Sequence, residues 1–481
     1  MARLIAENEL ISVLQGFNLW WTGRSVSAPN FHRLAYHACR KFFDNNALRR
    51  AVLLSGPRRV GKTTVLLQLA DALIKEGIES RSILYLSLDH PVLKLLGLRE
   101  ILALYHQNIY AEDKPAVLLL DEIQYSREWE TEIKLLVDHR PNYRIVATGS
   151  ATVLHKERLA ESGVGRWVTV QVPTLSFYEF IQIRGEAAPA IDSSLRPNDL
   201  FTLEPVALRD IAAQLRAVLP LFQRYLLVGG FPETARQDNL ELCQRLLRED
   251  VVERVLKRDM TALFGVRNVN ELERLFIYLC LHTGGILAHQ TVATALEGVS
   301  KTTVANHLAH LEQANLVYCL PAVRTGGKHV LRARNKYYLV DAALRNAVLL
   351  RGEEVLANAD EMGIIVETTV LRHLYAYHYR DTPQIAYWRD AATEKEVDII
   401  VKSPVYHFAF EIKYRERAEV SSKSGLALYS TTEKLKQAYL VTKQETDFGI
   451  ATLEGINTQF LKVPAHILCY LLGQAERLLW K

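Results

Sequence analysis

Residues 56–63 read Gly-Pro-Arg-Arg-Val-Gly-Lys-Thr, a complete GxxxxGK[ST] pattern, and its flanks narrow what the chain can fold into. Ala51-Val-Leu-Leu-Ser55 before it is an apolar run of strand length. Thr64-Val-Leu-Leu-Gln-Leu-Ala70 after it reads as an apolar helix. Strand, glycine-bearing loop and helix start bring backbone N–H groups and a helix amino terminus to one point, which is a cradle for phosphate oxygens. Gly56 and Gly61 allow the close approach, and Pro57, Arg58, Arg59, Val60 and Thr64 complete the loop. Lys62 is expected to reach the β- and γ-phosphates, and the Thr63 hydroxyl to ligate Mg²⁺. The loop falls at the carboxyl end of a strand, where parallel sheets bind ligands.

Ala116-Val-Leu-Leu-Leu-Asp121-Glu122-Ile123 is an apolar strand ending in two carboxylates. After a phosphate loop, Asp121 is expected to hold the Mg²⁺ water shell and Glu122 to polarise an attacking water. The plainer reading is a buried strand with an acidic end at the sheet rim. Tyr143-Arg-Ile-Val-Ala-Thr148-Gly-Ser150 puts hydroxyls at the end of another strand. There Thr148 or Ser150 could sense a γ-phosphate or serve as a turn residue. The paired carboxylates favour hydrolysis over binding alone. Strands expected at 51–55, 82–88, 116–120, 143–148 and 167–172 alternate with helices, which predicts a parallel sheet covered on both faces. Residues 1–50 read as helical, with Trp20 and Trp21 packing on this domain.

At 481 residues the chain has room for two to four domains. Its apolar share of 49% and charged share of 23% are those of an ordinary globular protein. A net charge of +4 does not imply nucleic acid, so local patches must carry that argument. The five cysteines are scattered without a CxxC pair, which points to a reducing compartment rather than disulfides or zinc. No apolar run approaches the ~20 residues of a membrane span, and Glu7 and Glu9 interrupt any secretion signal. The expectation is a cytoplasmic protein with no membrane partner.

Residues 183–200 read as a linker, and 203–265 as a helical segment able to form a lid. Between 270 and 340 the order is helix, helix, helix, strand, hairpin. Ser300 is placed to cap the third helix, which starts at Lys301. Its inward face is Val304, Leu308 and Leu311. Its outward face offers Lys301, Thr302, Thr303, Asn306, His307 and His310. This is the pattern of a winged helix-turn-helix, with the third helix directed at a major groove. The hairpin 322–336 carries Arg324, Lys328, Arg332, Arg334 and Lys336 without an acidic residue, which suits phosphate contacts to double-stranded DNA. Protein docking is the competing use of such a module.

Nearer the end, Tyr387-Trp-Arg-Asp390, Glu396-Val-Asp398 and Glu411-Ile-Lys413 form a second constellation. Positions i and i+2 of a strand share a face, so Glu411 and Lys413 lie on one side, and a hairpin can bring Asp398 beside them. Such a group can hold Mg²⁺ through Asp398 and Glu411 and activate a water for phosphodiester attack. The wet face of a sheet gives the same spacing.

The chain resembles the prokaryotic AAA-type ATPases that carry a C-terminal restriction-endonuclease-like domain of the PD-(D/E)xK class. The residues that carry the resemblance are Gly-Pro-Arg-Arg-Val-Gly-Lys-Thr, Leu-Leu-Leu-Asp-Glu-Ile-Gln, Ala-Thr-Gly-Ser, Val-Gly-Gly-Phe-Pro-Glu, Tyr-Tyr-Leu-Val-Asp341 and Tyr-Trp-Arg-Asp…Glu-Val-Asp…Glu-Ile-Lys. Together they span most of residues 30–465. The resemblance implies a P-loop core over 1–182, a helical lid over 200–265, a winged helix over 266–345 and a nuclease-like α/β domain over 346–481. It also implies ATP as the nucleotide. It makes Glu367 the helix carboxylate of the nuclease site, with Asp398, Glu411 and Lys413 as its core. It puts Arg166 where such ATPases place a γ-phosphate-sensing arginine, against which stands a surface salt bridge. The Gln-x-x-x-Tyr element of some nucleases of this class is not present, Gln437 and Tyr439 being only two apart. Three functions follow: an ATPase switch or motor acting on DNA, an ATP-gated metal-dependent nuclease, or a nucleotide-gated protein scaffold. Self-association stays open.

Overall fold

The computed structural model describes residues 6–45, 47–149, 165–323 and 334–480. Ser150, Arg324, Lys328 and Arg332 lie outside the described residues. The chain forms two compact units, Met1–Pro173 and Thr174–Leu479.

The first unit is built on strands β1 (Ala51–Ser55), β2 (Ile83–Ser87), β3 (Ala116–Asp121), β4 (Tyr143–Gly149) and β5 (Trp167–Gln171). All are parallel, in the order β2-β3-β4-β1-β5. Every residue of β1 and β3 is buried, because helices cover both faces, and this is why these strands read as unbroken apolar runs. The order sets β4 between the strand that feeds the phosphate loop and the strand that ends in Asp121. The carboxyl ends of three adjacent strands therefore line one crevice.

Edge strand β2 has free backbone groups that the residues before the sheet satisfy. The Asn18 side chain accepts from Tyr85 N at 2.7 Å and donates to Tyr85 O at 2.9 Å. The indole N–H groups of Trp20 and Trp21 both donate to Ile83 O, at 3.1 and 3.0 Å. This blunts an edge that would otherwise invite another strand.

In the second unit, helices Val269–Leu281, His289–Ala295 and Lys301–Gln313 accompany β6 (Ile286–Leu287), β7 (Val317–Leu320) and β8 (Asn335–Leu339), an antiparallel sheet of order β6-β8-β7. Ser300 caps the third helix, accepting from Thr303 N at 3.0 Å. Two of its expected outward residues are not outward. His307 is buried, with Glu271 3.9 Å away, and His310 packs on Phe264 at 4.6 Å between ring centroids. His307 follows Val304 by three positions, so it falls on the apolar stripe. Lys301, Thr302 and Asn306 are exposed, as is Arg334. Lys336, expected on the basic hairpin, is instead a buried residue of β8.

The Val-Gly-Gly-Phe-Pro stretch is fitted around one carboxylate. Asp341 accepts from Gly230 N at 2.9 Å and from Ala343 N at 3.0 Å, capping helix Ala342–Leu349. Gly229 has φ +73°, and a Cβ there would lie 2.4 Å from Asp341 Oδ1, so no other residue fits.

The last segment contains β9 (Gln384–Arg389), β10 (Glu396–Lys402), β11 (His407–Lys413), β12 (Gln437–Thr442), β13 (Gly449–Leu453) and β14 (Ile456–Pro464), in the order β13-β14-β12-β11-β10-β9. Strands β9 to β11 are antiparallel neighbours, whereas β11, β12 and β14 run parallel. Helix Ala359–His378 precedes the sheet, and helix Ala465–Glu476 is buried along its whole length. Helix Phe177–Ile183, assigned to the nucleotide domain on sequence, packs within this second unit, Tyr178 meeting Tyr470 edge-on at 5.4 Å.

Candidate functional site

The phosphate loop joins β1 to helix Lys62–Lys75. Gly56 is required by packing: a Cβ there would lie 2.1 Å from the carbonyl of Val172, which follows β5 alongside β1. Gly61 turns with φ +93°, and the non-glycine Arg59 shares this left-handed region at +63°. Buried Arg33 donates to Val60 O at 2.7 Å and fixes the loop from behind. The Lys62 ammonium is buried and donates to Gly56 O at 2.8 Å and Pro57 O at 2.7 Å. Thr63 Oγ1 donates to Asp121 Oδ2 at 2.7 Å. Two oxygens that suit a hard cation thus stand together beside the loop, and they fit Mg²⁺.

Asp121 is held by two further hydroxyls. Tyr85 donates to Oδ2 at 3.0 Å, and Thr148 donates to Oδ1. The Thr148 oxygen in turn accepts from Glu122 N at 3.0 Å, so a single buried threonine orients both carboxylate residues. Glu122 sits at φ +53°, its Oε2 accepting from Gln124. Burial pushes the Glu122 carboxyl up. The Lys62 ammonium opposes that shift, and the Asp121 carboxylate adds to it. A carboxylate raised in this way is a stronger base toward water.

The C-terminal constellation divides in two. Glu411 pairs with Lys413 at 2.6 Å and accepts from Leu426 N at 3.2 Å. Asp398 accepts from Ile412 N at 2.7 Å. Glu367, Glu396 and Asp398 surround the ammonium of Lys336, which lies 3.5 Å from Glu367 Oε1 and 3.7 Å from Asp398 Oδ1 and forms its shortest ion pair with Glu396. Tyr338 donates its hydroxyl to Glu367. Burial lifts the Glu367 carboxyl to about 7; Asp398 pushes the same way and Lys336 against it. Burial also raises Glu411, opposed by Lys413. As placed, these residues do not fit a divalent metal. Among the described residues no three His, Cys, Asp or Glu side chains converge as a ligand set, and three carboxylates are already turned to an ammonium.

Residues 48–181 match the family model of an AAA domain. Two domains of unknown function, DUF8612 and DUF4143, match residues 219–355 and 362–464. An uncharacterized protein of Haemophilus influenzae is 26% identical over 333 residues, 67% of this chain and 75% of its own length. One of Methanocaldococcus jannaschii is 26% identical over 346 residues, 70% of each chain. Among solved structures, the Thermotoga maritima RuvB Holliday junction branch migration motor aligns at 17% identity and TM-score 0.26, over 68% of this chain and 94% of its own. AMPPCP-bound DnaA from Aquifex aeolicus aligns at 16% and 0.27, over 61% and 91%. At these scores the structural likenesses carry no argument.

Within the AAA domain the structure brings Lys62, Thr63, Asp121, Glu122 and Thr148 together and leaves Arg166 out. Arg166 precedes β5, and its carbonyl accepts from Ala51 N at the amino end of β1, about 15 Å of strand from the loop. Its guanidinium pairs with Asp138 at 3.1 Å. It therefore cannot sense the γ-phosphate in the same chain. The Thr148 hydroxyl is turned to Asp121. Tyr85, Gln124 and Arg33 were missed by sequence reasoning. Tyr85, the polar tip inside the apolar run Ile-Leu-Tyr-Leu, was the available signal.

Proposed function

We propose that the chain is an ATP-hydrolysing switch or small motor that acts on DNA, and the Thr63–Asp121–Thr148–Glu122 network carries the hydrolysis part of that reading. A carboxylate held by three hydroxyls beside a phosphate loop, followed by a second carboxylate raised by burial, is the arrangement hydrolysis requires. The loop N–H groups and Lys62 would receive the phosphates, with Thr63 and Asp121 holding Mg²⁺. When bound, Mg²⁺ supplies charge neutralisation at the phosphates. Glu122 would accept the proton of the attacking water.

The DNA part is supported by the three helices and three-stranded sheet at 269–339, an order that suits a winged helix. Its third helix exposes Lys301, Thr302 and Asn306, and Arg334 is exposed beside β8. The helix and mixed sheet at 359–464 support a restriction-endonuclease-like fold as the effector domain. Metal-dependent cutting is not favoured, because the carboxylates do not fit a metal as placed. The same observation favours a second reading, a nucleotide-gated scaffold that binds proteins through this domain.

The test is ATP turnover by the pure protein with and without duplex DNA. Glu122→Gln should bind labelled ATP as wild type does and lose turnover by about 100-fold or more, and Lys62→Ala should lose binding. Full turnover in Glu122→Gln would sink the assignment. Salt titration of duplex binding separates the two readings, since phosphate contacts release counterions. A complete lack of duplex binding at low salt would leave the scaffold.

A further inference from the structure

Lys336 and Tyr338 are two apart on β8, so they share a face, and both reach Glu367 of helix Ala359–His378, Lys336 also reaching Glu396 and Asp398 of β10. The backbone of Lys336 is fixed from both sides, opposite Ile286 of β6 and Leu320 of β7. Its side chain is 3% exposed. The segment that follows β7 is also stitched to strand β9: Tyr387 N donates to Pro321 O at 3.0 Å, and Val323 N to Tyr387 O at 2.8 Å. The ammonium therefore cannot swing into solvent while β8 keeps its place. Burying three carboxylates near one another is costly unless a cation compensates them, and here the chain supplies its own.

We infer that Lys336 is the resident cation of the Glu367–Glu396–Asp398 cluster, so that divalent metal is kept out of the nuclease-like site while β8 is seated and enters when this ammonium is removed. The inference rests on reading 359–464 as a nuclease-like domain, but it concerns which cation the cluster holds, not whether DNA is cut. It also gives β8 a consequence beyond docking, because a ligand that displaces it would change the charge inside the neighbouring domain.

The experiment is Mn²⁺ binding by the full-length, nucleotide-free protein, followed by electron paramagnetic resonance, in wild type, Asp398→Asn, Lys336→Met, Lys336→Met with Asp398→Asn, and Lys336→Arg. Mn²⁺ held at the AAA domain is common to all five and is subtracted through the Asp398→Asn pairs. The expected result is no Asp398-dependent Mn²⁺ in wild type, no Mn²⁺ beyond the wild-type level in Lys336→Arg, and an Asp398-dependent site at least about tenfold tighter in Lys336→Met. Asp398-dependent Mn²⁺ in wild type would overturn the inference, and this arm needs no variant at Lys336 to fold. A folded Lys336→Met protein that takes no Mn²⁺, or a Lys336→Arg protein that takes as much as Lys336→Met, would overturn it too. Plasmid cleavage is read on the same samples. Metal binding without cleavage supports the inference and counts against the nuclease reading alone.

Discussion

Thr148 carries two jobs with one hydroxyl, and that makes it the most informative residue of the nucleotide site. It donates to Asp121 and accepts from the backbone N–H of Glu122. Thr148→Val keeps the volume and removes both contacts. Each such hydrogen bond contributes about 1 kcal/mol, so losing both should lower kcat roughly 30-fold with ATP affinity little changed. Stopped-flow turnover beside nucleotide titration checks this, and an unchanged kcat would show that Asp121 and Glu122 need no such anchor. Gly56→Ala should cost about 1–3 kcal/mol in urea unfolding, because the added methyl meets a backbone carbonyl rather than a movable side chain. The loop residues were legible in the sequence because the chemistry of a phosphate cradle is local: eight consecutive positions and their flanks contain it. Tyr85 and Lys336 were not legible as site residues. Each reaches a carboxylate far from it in sequence, and no spacing in the chain encodes that meeting.

At the scale of elements, Asp341 is the connection to examine. It ends β8's run into helix Ala342–Leu349 and fastens the glycine pair that stops helix Leu219–Val228. Asp341→Ala leaves two buried N–H groups without their acceptor, which should cost about 2–4 kcal/mol. Asp341→Asn keeps an acceptor oxygen, and because burial already pushes this carboxyl up, it should cost clearly less. Equal losses in thermal melts would mean that the negative charge, not the acceptor, matters. The five parallel strands were expected within a residue or two, since runs such as Val-Leu-Leu-Leu bounded by turn residues leave little choice. Their order was not, because crossovers are decided by packing between segments. The face of the third helix was misread at His307 and His310 for a related reason. A histidine at the rim of an apolar stripe can turn either way, and Glu271 and Phe264 supplied partners on the inside.

Across the whole molecule, buried histidines of the second unit should make it acid-sensitive. Burial holds His378 and His466 down at about 4, with Asp381 opposing the shift at His378. An unfolded chain would protonate both near 6.5. Their contribution is therefore fully present above about pH 6.5 and is lost as pH falls toward 4, at about 1.4 kcal/mol per pKa unit for each group. Chemical unfolding between pH 7 and 4.5 should show this limb, and His378→Leu with His466→Leu should flatten it. A double variant with the wild-type slope would assign the acid limb to carboxylates or to His373, which burial also holds well below the ordinary imidazole value.

The origin of Lys336 has a practical consequence for work on fragments. A DUF4143-like segment starting near residue 362 would carry Glu367, Glu396 and Asp398 without the ammonium that neutralises them in the full chain. Such a fragment is a different electrolyte from its parent. Any metal it scavenged or DNA it nicked would report on the cut made in the gene, not on the protein the gene encodes.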